Sequence, residues 1–419
     1  MKQYLVKLPE ELRSLIRSIS DTAELEHLPV YLVGGFVRDL ILGVDNLDLD
    51  ISVEGDAMLF AQKLTQKLGA KIVVHKRFGT ATITLGHKKI DFATSRKESY
   101  PELACLPVVS PSVLRDDLAR RDFTINAMAI ELSAKNYGKL IDYFAGRSDL
   151  VNKKIRILHD LSFLDDPTRI IRAIRFEQRL GFKIEPHTLG FLKAAIKAKM
   201  LEKVQPQRVR DEIILLLKEA FPIGGIKRLN GLVGLKFISP SLKQYRKSLL
   251  DNIDHKLDLF KKSHPRLRKL DVWLIYFCGI IDSLSIKDTV LLCRRFVFRR
   301  GEEKRILSYK NISSRFVKEL SKKSIKFSRI YDLLEPLSYE VILLLQIRYA
   351  NKMLVRNVDS FFARLSGTRI HASGRDLHSL GLKPGPGYQK IFKKVLQAKL
   401  DGKVISREDE LILIRKLLK

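Results

Sequence analysis

Asp48 and Asp50 sit two residues apart in the run LDLDISV at 47–53. Side chains alternate along a strand, so two carboxylates at this spacing share one face. Such a pair suits a hard divalent cation: Mg²⁺ takes oxygen ligands, keeps several waters and uses one or two protein carboxylates plus a substrate's phosphates. The chemistry this points to is phosphoryl or nucleotidyl transfer. Just upstream, Gly34 and Gly35 follow the apolar run VYLV and open a stretch containing Arg38 and Asp39. Glycines let backbone amides approach a triphosphate, and a helix start adds partial positive charge. A Gly-Gly turn alone is most often a plain turn, and a lone aspartate pair most often faces solvent. Their succession within so short a stretch is the stronger signal.

Two further constellations follow. Residues 120–130 read RRDFTINAMAI. In it Arg121 and Asn126 offer donors to phosphate and ribose oxygens while Asp122 anchors a guanidinium; the plainer reading is a salt-bridge cluster entering a buried strand. At 165–176 the chain reads DDPTRIIRAIRF. Helical spacing of three aligns Asp166, Arg169, Arg172 and Arg175 in one row. A guanidinium beside a carboxylate can read a base edge, donating to O2 and N3 of cytosine or N1 of adenine and accepting from the exocyclic amine of either. Asp before Pro is also a helix start, with Asp166 as cap and Pro167 in the first turn. Both readings can hold together if Asp165 takes the cap or orients Arg169. Asp91, in KKIDFAT, is placed on a strand beside the carboxylate strand, either as a third carboxylate near the attacking hydroxyl or as a surface aspartate. The nine histidines show no metal-hydrolase pattern and are read as structural.

The elements that must position these residues are mixed. A helix is expected over 10–20, strands at 30–33 and 47–53, helices opening at Gly35 and spanning 57–68, then three strands, KIVVH, TATITL and KKIDFAT, with turns at Phe78-Gly79 and Gly86-His87. The segment from Ser95 to Ser112 is proline-rich and aperiodic and reads as a long loop or lid. After Asp142 strand signals fade and apolar residues recur at three and four, as in QRVRDEIILLLKEA, so the remainder is expected to be helical. Basic runs at 293–305 and 320–327 fall in this half.

Composition bounds the partners. A chain of 419 residues with 45% apolar content is large enough for several domains. Its 77 Lys and Arg against 47 Asp and Glu give a net charge of +30, which calls for a polyanionic partner, nucleic acid before membrane. No apolar run approaches the ~20 residues of a spanning helix, and MKQYLVKLPEELRSL has no signal-peptide core, so cytoplasmic residence without membrane association is expected. Cys105, Cys278 and Cys293 have neither metal nor disulfide spacing and read as ordinary thiols.

With these residues in place, the chain resembles the class II tRNA nucleotidyltransferases, the family of CCA-, CC- and A-adding enzymes and bacterial poly(A) polymerase. GGFVRD followed by DLD matches its metal motif, RRDFTINAMAI its ribose and phosphate motif, and DDPTRIIRAIRF its EDxxR helix; VQPQRVRDEI resembles the helix-stabilising motif after it, and GRDLHSLGLKPGPGYQKIF the tail segment. The resemblance implies a nucleotidyltransferase head over 1–141, with a mixed sheet and helices as in DNA polymerase β, then an elongated all-α part: a neck at 142–218, a body at 219–330 and a tail at 331–419, the last two binding tRNA. It implies two Mg²⁺ on Asp48 and Asp50, triphosphate contacts from Gly35 and Arg38, ribose and phosphate contacts from Arg121 and Asp122, and base pairing by Asp166 and Arg169. The partners implied are tRNA, ATP and CTP. Two departures stand out: Asp165 where glutamate is usual, one methylene shorter, and VQPQ in place of a more acidic lead.

The expected reaction is in-line attack by an RNA 3′-hydroxyl on the α-phosphate of a nucleoside triphosphate, with two Mg²⁺ roughly 3.5 to 4 Å apart. Three alternatives differ in product or class: addition of CC only or of A only, poly(A) synthesis, and RNA binding without catalysis. Poly(A) polymerases usually read NALY where this chain has NAMA at 126–129, and a binding module has no need of the Asp48 and Asp50 pair. The 95–112 segment is expected to govern the choice between C and A.

Overall fold

The computed structural model describes residues 5–44, 48–76, 79–86, 88–264 and 270–418. Leu47, Phe78 and His87, assigned above to a strand and two turns, lie outside them. Two compact units emerge, Met1–Val233 and Gly234–Lys419.

VYLV, apolar at every position, becomes β1 (Val30–Val33), buried along its whole length at the middle of a sheet. LDISV gives β2 (Leu49–Val53), in which Asp50 is exposed between buried Leu49 and Ile51. The later apolar runs give β3 (Lys71–His75), β4 (Thr80–Leu85) and β5 (Lys88–Thr94). β8 (Ala129–Glu131) and β9 (Leu140–Ile141) complete a seven-stranded sheet in the order β3-β4-β5-β2-β1-β8-β9. It is mixed: β2 runs parallel to β5, and every other pair is antiparallel.

The first helix, Glu10–Leu25, runs five residues past the expected Ser20 because Thr22 and Ala23 continue its buried stripe. It packs on the helix Ala57–Leu68, whose opening amides at Met58 and Leu59 are capped by the Asp56 carboxylate. That helix in turn lies on β4 and β5, with the rings of Phe60 and Phe92 5.9 Å apart.

The segment from Ser95 to Ser112 is not an irregular loop. It forms an antiparallel hairpin of β6 (Arg96–Ser99) and β7 (Val108–Pro111), with Glu98 opposite Val109. Four-residue arms, with Pro101 and Pro107 between them and Pro111 ending the second, carry too little alternation to be seen as strands in the sequence. Polar contacts anchor it: the Glu98 carboxylate accepts from Arg96, Arg120 and the Tyr100 hydroxyl, and at the hairpin tip the Ala104 N–H donates to the Leu164 carbonyl.

A short helix, Ser162–Asp165, and a longer one, Arg169–Leu180, follow in the same unit. The longer one packs against Pro206–Leu217 and Pro222–Leu232. The second unit is helical throughout its described elements. Its core includes the helix Val272–Ile280, in which every residue after Val272 is buried, and the helix Tyr339–Tyr349. There buried Asp282 accepts from the Tyr309 hydroxyl at 2.6 Å and pairs with Arg348 at 3.2 Å and Arg246 at 3.1 Å. Cys278 and Cys293 are buried in this unit. No described helix is long and apolar enough to cross a membrane.

Candidate active site

The polar ends of β2 and β5, the start of the helix Gly35–Leu42, the 120–126 segment and the helix Arg169–Leu180 surround one cleft of about 1130 Å³. β2 sets one wall. Its parallel register with β5 brings Asp50 opposite Asp91, and β4 places Thr82 opposite Asp91 on the other side. The Thr82 hydroxyl donates to Asp91 Oδ1 at 2.6 Å, fixing that carboxylate. Asp48 immediately precedes β2 and is exposed, as Asp50 is, which preserves the alternation expected of the pair.

Asp50 is open to the cleft, yet the walls around it strip enough of its hydration to raise its pKa above the ordinary value; Arg121 opposes this, and the charges of Asp91 and Asp48 add to it. Crowded hard-oxygen donors whose repulsion a cation would relieve fit a divalent ion that takes its other ligands from phosphates and water. Among the described residues no group of three or more His, Cys, Asp or Glu forms a metal site of its own.

Gly34 caps the Gly35–Leu42 helix with φ of +71°. A Cβ there would meet Arg121 Nη1 at 2.5 Å and would lie 3.6 Å from Asp50 Oδ2, so glycine is what lets this guanidinium and carboxylate share the turn. Gly35 lines the cleft itself. Arg38 also lines it, but is 3% exposed and already engaged, donating to Asn126 Oδ1 at 2.6 Å and pairing with Asp39.

The 120–126 segment is an ion-pair lattice. Asp117, 1% exposed and unnoticed in the sequence, accepts from both Arg120 and Arg121. Burial works against its charge, yet the two guanidiniums outweigh it and hold its carboxyl below the usual range. Asp122 accepts from Asn126 and from Arg172, at 2.9 and 2.6 Å. Burial opposes its charge too, and Arg172 with the Asn126 amide lowers its pKa nonetheless. The short 3₁₀ turn Thr124–Asn126 and the fully buried Ala127 and Met128 hold this lattice against β8.

On the opposite wall, Asp166, Arg169, Arg172 and Arg175 all line the cleft. They do so in different states. Arg169, 4% exposed, donates to the Ser162 hydroxyl and to the Arg120 carbonyl at 2.7 Å. Arg172 is clasped between Asp122 and Glu212, and Arg175 bonds Glu219 at 3.1 Å. Burial disfavours the Arg172 charge, but Asp122 and Glu212 prevail and raise its pKa. Phe176 lies under the guanidiniums of Arg38 and Arg175, 5.1 and 4.8 Å from its ring centre. The basic row is therefore largely neutralised, with Arg172 and Arg175 acting as cross-braces between elements.

The helix start falls elsewhere than the Asp-Pro signature suggests. Thr168 is the cap residue and Arg169 the first helical one; Asp166 Oδ1 accepts from the Thr168 N–H at 3.1 Å and hydroxyl at 2.6 Å. An Asx turn thus precedes the helix, because the Asp166 side chain satisfies the Thr168 amide. Asp165 takes no cap. It ends the short helix 3.9 Å from His159 Nδ1, outside the cleft lining, and Ser162 rather than Asp165 holds Arg169. Burial raises the Asp165 pKa, against the charges of His159 and Arg169.

The sequence assigns no individual role to Ser162, Thr168, Phe176, Arg208 or Glu212, although the last four fall within the runs DDPTRIIRAIRF and VQPQRVRDEI. Arg208 and Glu212 lie one helical turn apart on Pro206–Leu217, a spacing that could have placed both on the cleft side.

Residues 30–156 match the family described as the poly A polymerase head domain, and residues 181–245 match that described as a probable RNA and SrmB-binding site of polymerase A. An A-adding tRNA nucleotidyltransferase of Geobacter sulfurreducens is 38% identical over 412 residues, 96% of this chain and 47% of that protein. The chain spans about half the length of the curated relatives it matches. Among solved structures, a Thermotoga maritima CCA-adding enzyme complexed with tRNA superposes with a TM-score of 0.70 at 32% identity, covering 100% of this chain and 98% of that one. A CCA-adding enzyme complexed with ATP gives 0.74 at 31% identity, with the same coverage. The chain belongs to the family of tRNA nucleotidyltransferases and bacterial poly(A) polymerases.

Proposed function

We propose that the protein adds C, A or both to the 3′ end of tRNA from CTP and ATP, without a nucleic-acid template and with release of pyrophosphate. The observation that carries this reading is the sharing of one cleft by Asp50 and Asp91 on one wall and Asp166 and Arg169 on the other. A nucleotide whose base meets the second wall presents its phosphates to the first. In this reading Asp48 and Asp50 hold Mg²⁺, which when bound stabilises the charge on the attacking and leaving oxygens. Arg121, held by Asp117 beside Gly34, neutralises phosphate, and Gly35 leaves room for it. Asp91, oriented by Thr82, accepts the proton of the attacking hydroxyl. Arg169, fixed by Ser162 and the Arg120 carbonyl, donates to the ring nitrogen and oxygen of the base. Asp166 accepts from its amine. The body at 219–330 and the tail at 331–419 grip tRNA phosphates through their basic runs, and the work is done in the cytoplasm, where tRNA is matured.

A-addition alone is the second reading, favoured by the similarity to the Geobacter sulfurreducens A-adding enzyme along 96% of the chain. Purified protein incubated with tRNA lacking CCA, ending in C or ending in CC, each with CTP or ATP alone, tests both. Incorporation of C, of A or of both supports the first reading. A on the CC-ended substrate only narrows it to the second, and no incorporation on any substrate overturns both.

A further inference from the structure

Asp166 is held from three directions. The Thr168 N–H and hydroxyl both donate to Oδ1, at 3.1 and 2.6 Å, and the Arg208 Nη2 lies 2.8 Å from Oδ2. A carboxylate oxygen offers about two lone-pair sites. Oδ1 is therefore filled by the chain's own donors, and Oδ2 is the oxygen left for a base amine. That oxygen is the one facing Arg208. Arg208 comes from a different helix, Pro206–Leu217, and its side chain, 26% exposed, lines the same cleft.

We infer that Arg208 is a specificity-determining positioning residue: it aims Asp166 Oδ2 at the amine of the incoming base, so that nucleotides carrying that amine are chosen over those carrying a carbonyl in its place. The inference rests on the reading of the cleft as a nucleotidyl-transfer site. Its physical content lies in rotation. Asp166 χ2 is a soft, roughly two-fold torsion. Thr168 alone fixes one oxygen and leaves the carboxylate plane free to swing about it, whereas an ion pair on the second oxygen fixes the plane. A carboxylate so held meets the amine of adenine or cytosine as acceptor to donor, and meets the carbonyl of guanine or uracil as acceptor to acceptor. A site built to receive an N–H rejects an analogue lacking it far better than a loose one does. Arg208 sits beside the pair Asp166 and Arg169 without sharing Arg169's partners, Ser162 and the Arg120 carbonyl, so its effect is separable from that of Arg169.

The test compares wild type with Arg208→Ala and Arg208→Lys. It measures kcat/KM for ATP, GTP and purine riboside triphosphate on tRNA ending in CC, and for CTP and UTP on tRNA lacking CCA, in whichever of these reactions the wild type performs. Thermal melting checks the fold; if the alanine variant does not fold, Arg208→Gln, of similar length and uncharged, replaces it. The advantage of ATP over GTP and over purine riboside triphosphate, or of CTP over UTP, is expected to fall about tenfold or more in the uncharged variant, the scale of one hydrogen bond to a charged group. Arg208→Lys is expected to recover part of it, since it restores the cation without the planar fork. Equal discrimination in wild type and the uncharged variant overturns the inference and leaves the proposed function standing. A wild type that transfers no nucleotide to any tRNA overturns the proposed function, and this inference with it.

Discussion

Asp50 and Asp91 stand in register on neighbouring parallel strands, one open to the cleft and the other tethered by the Thr82 hydroxyl. Parallel pairing brings the two carboxylates side by side at the same level of the sheet, which supplies two negative charges where a phosphate-borne cation would sit. The pair is thereby linked to the turn at Gly34, since Asp50 Oδ2 and Arg121 Nη1 both lie within 4 Å of where a Gly34 Cβ would stand. In the proposed reaction this small region would supply both the oxygens for a cation and the guanidinium for a phosphate.

Replacing Asp50 by Asn keeps the side-chain shape and removes the charge. Nucleotide incorporation is expected to drop by about a thousandfold or more, the order of the several kcal/mol that cation-stabilised charge contributes to such a transfer. Binding of tRNA, measured by filter retention or anisotropy, is expected to persist within a fewfold. Activity close to wild type in Asp50→Asn would remove the metal role from this strand.

The raised pKa of Asp50 makes a separate statement about stability. An acid whose folded pKa exceeds its unfolded value binds more protons in the native state over the interval between the two. Stability therefore falls as pH rises from about 3.8 through the folded value, and stays lower above it. In metal-free buffer at neutral pH, Asp50→Asn is expected to melt higher than wild type, and the gap is expected to close as the pH falls below the ordinary carboxylate range. Millimolar Mg²⁺ is expected to raise the wild-type melting temperature and leave the variant unmoved. Parallel melts across pH, with and without Mg²⁺, check both signs.

Ser162 is buried, and its hydroxyl holds the Arg169 guanidinium. Ser162→Ala leaves one buried N–H of a charged group without its partner, a loss of about 1–3 kcal/mol. Because the Arg120 carbonyl still holds the other arm, the expected outcome is a less well-aimed arginine and not an unfolded helix. Discrimination between nucleotides is expected to weaken by about tenfold, less than in Arg169→Ala, with kcat for the preferred nucleotide falling less than the selectivity. Misincorporation with single nucleotides, read by primer extension on gels, provides the comparison.

Much of this site can be read from periodicity. Asp48 and Asp50 fall on the exposed positions of an alternating run, and the spacing of three brings Arg169, Arg172 and Arg175 to the cleft along one helix, whereas Asp166 reaches it from the extended residue before that helix. What periodicity does not carry is partnership across the chain. Arg172 looks like a free cation in the sequence, but Asp122, fifty residues earlier, and Glu212, forty residues later, meet it only through tertiary packing. The hairpin at 96–111 was likewise hidden, because its strands are held by side-chain bonds to Arg120 and by the tip contact to Leu164 more than by an apolar face. The Asp-Pro signature at 166–167 marks the neighbourhood of a helix start but misplaces it by two residues, since local competition between an Asx turn and a cap is decided by the Thr168 side chain.

Asp122 ties the lattice to the helix Arg169–Leu180. It is 8% exposed, and its carboxylate takes the Arg172 guanidinium and the Asn126 amide together. Asp122→Ala would strand a guanidinium within the wall, and breaking a buried pair from one side typically costs about 3–5 kcal/mol. Glu212, still bonded to Arg172 at 2.9 Å, absorbs part of that loss, so the lower end is expected. The pH sign is opposite to that of Asp50: a depressed folded pKa gives stability that is complete above the unfolded value near 3.8 and is lost as pH falls toward and through the folded one. Wild type is therefore expected to lose more stability than Asp122→Asn between neutral and acid pH, because the amide keeps shape and has no proton to gain. Urea unfolding of both proteins at a series of pH values measures this directly, and curves that fall in parallel would show that the Asp122 charge does not brace the helix Arg169–Leu180 against the 120–126 segment.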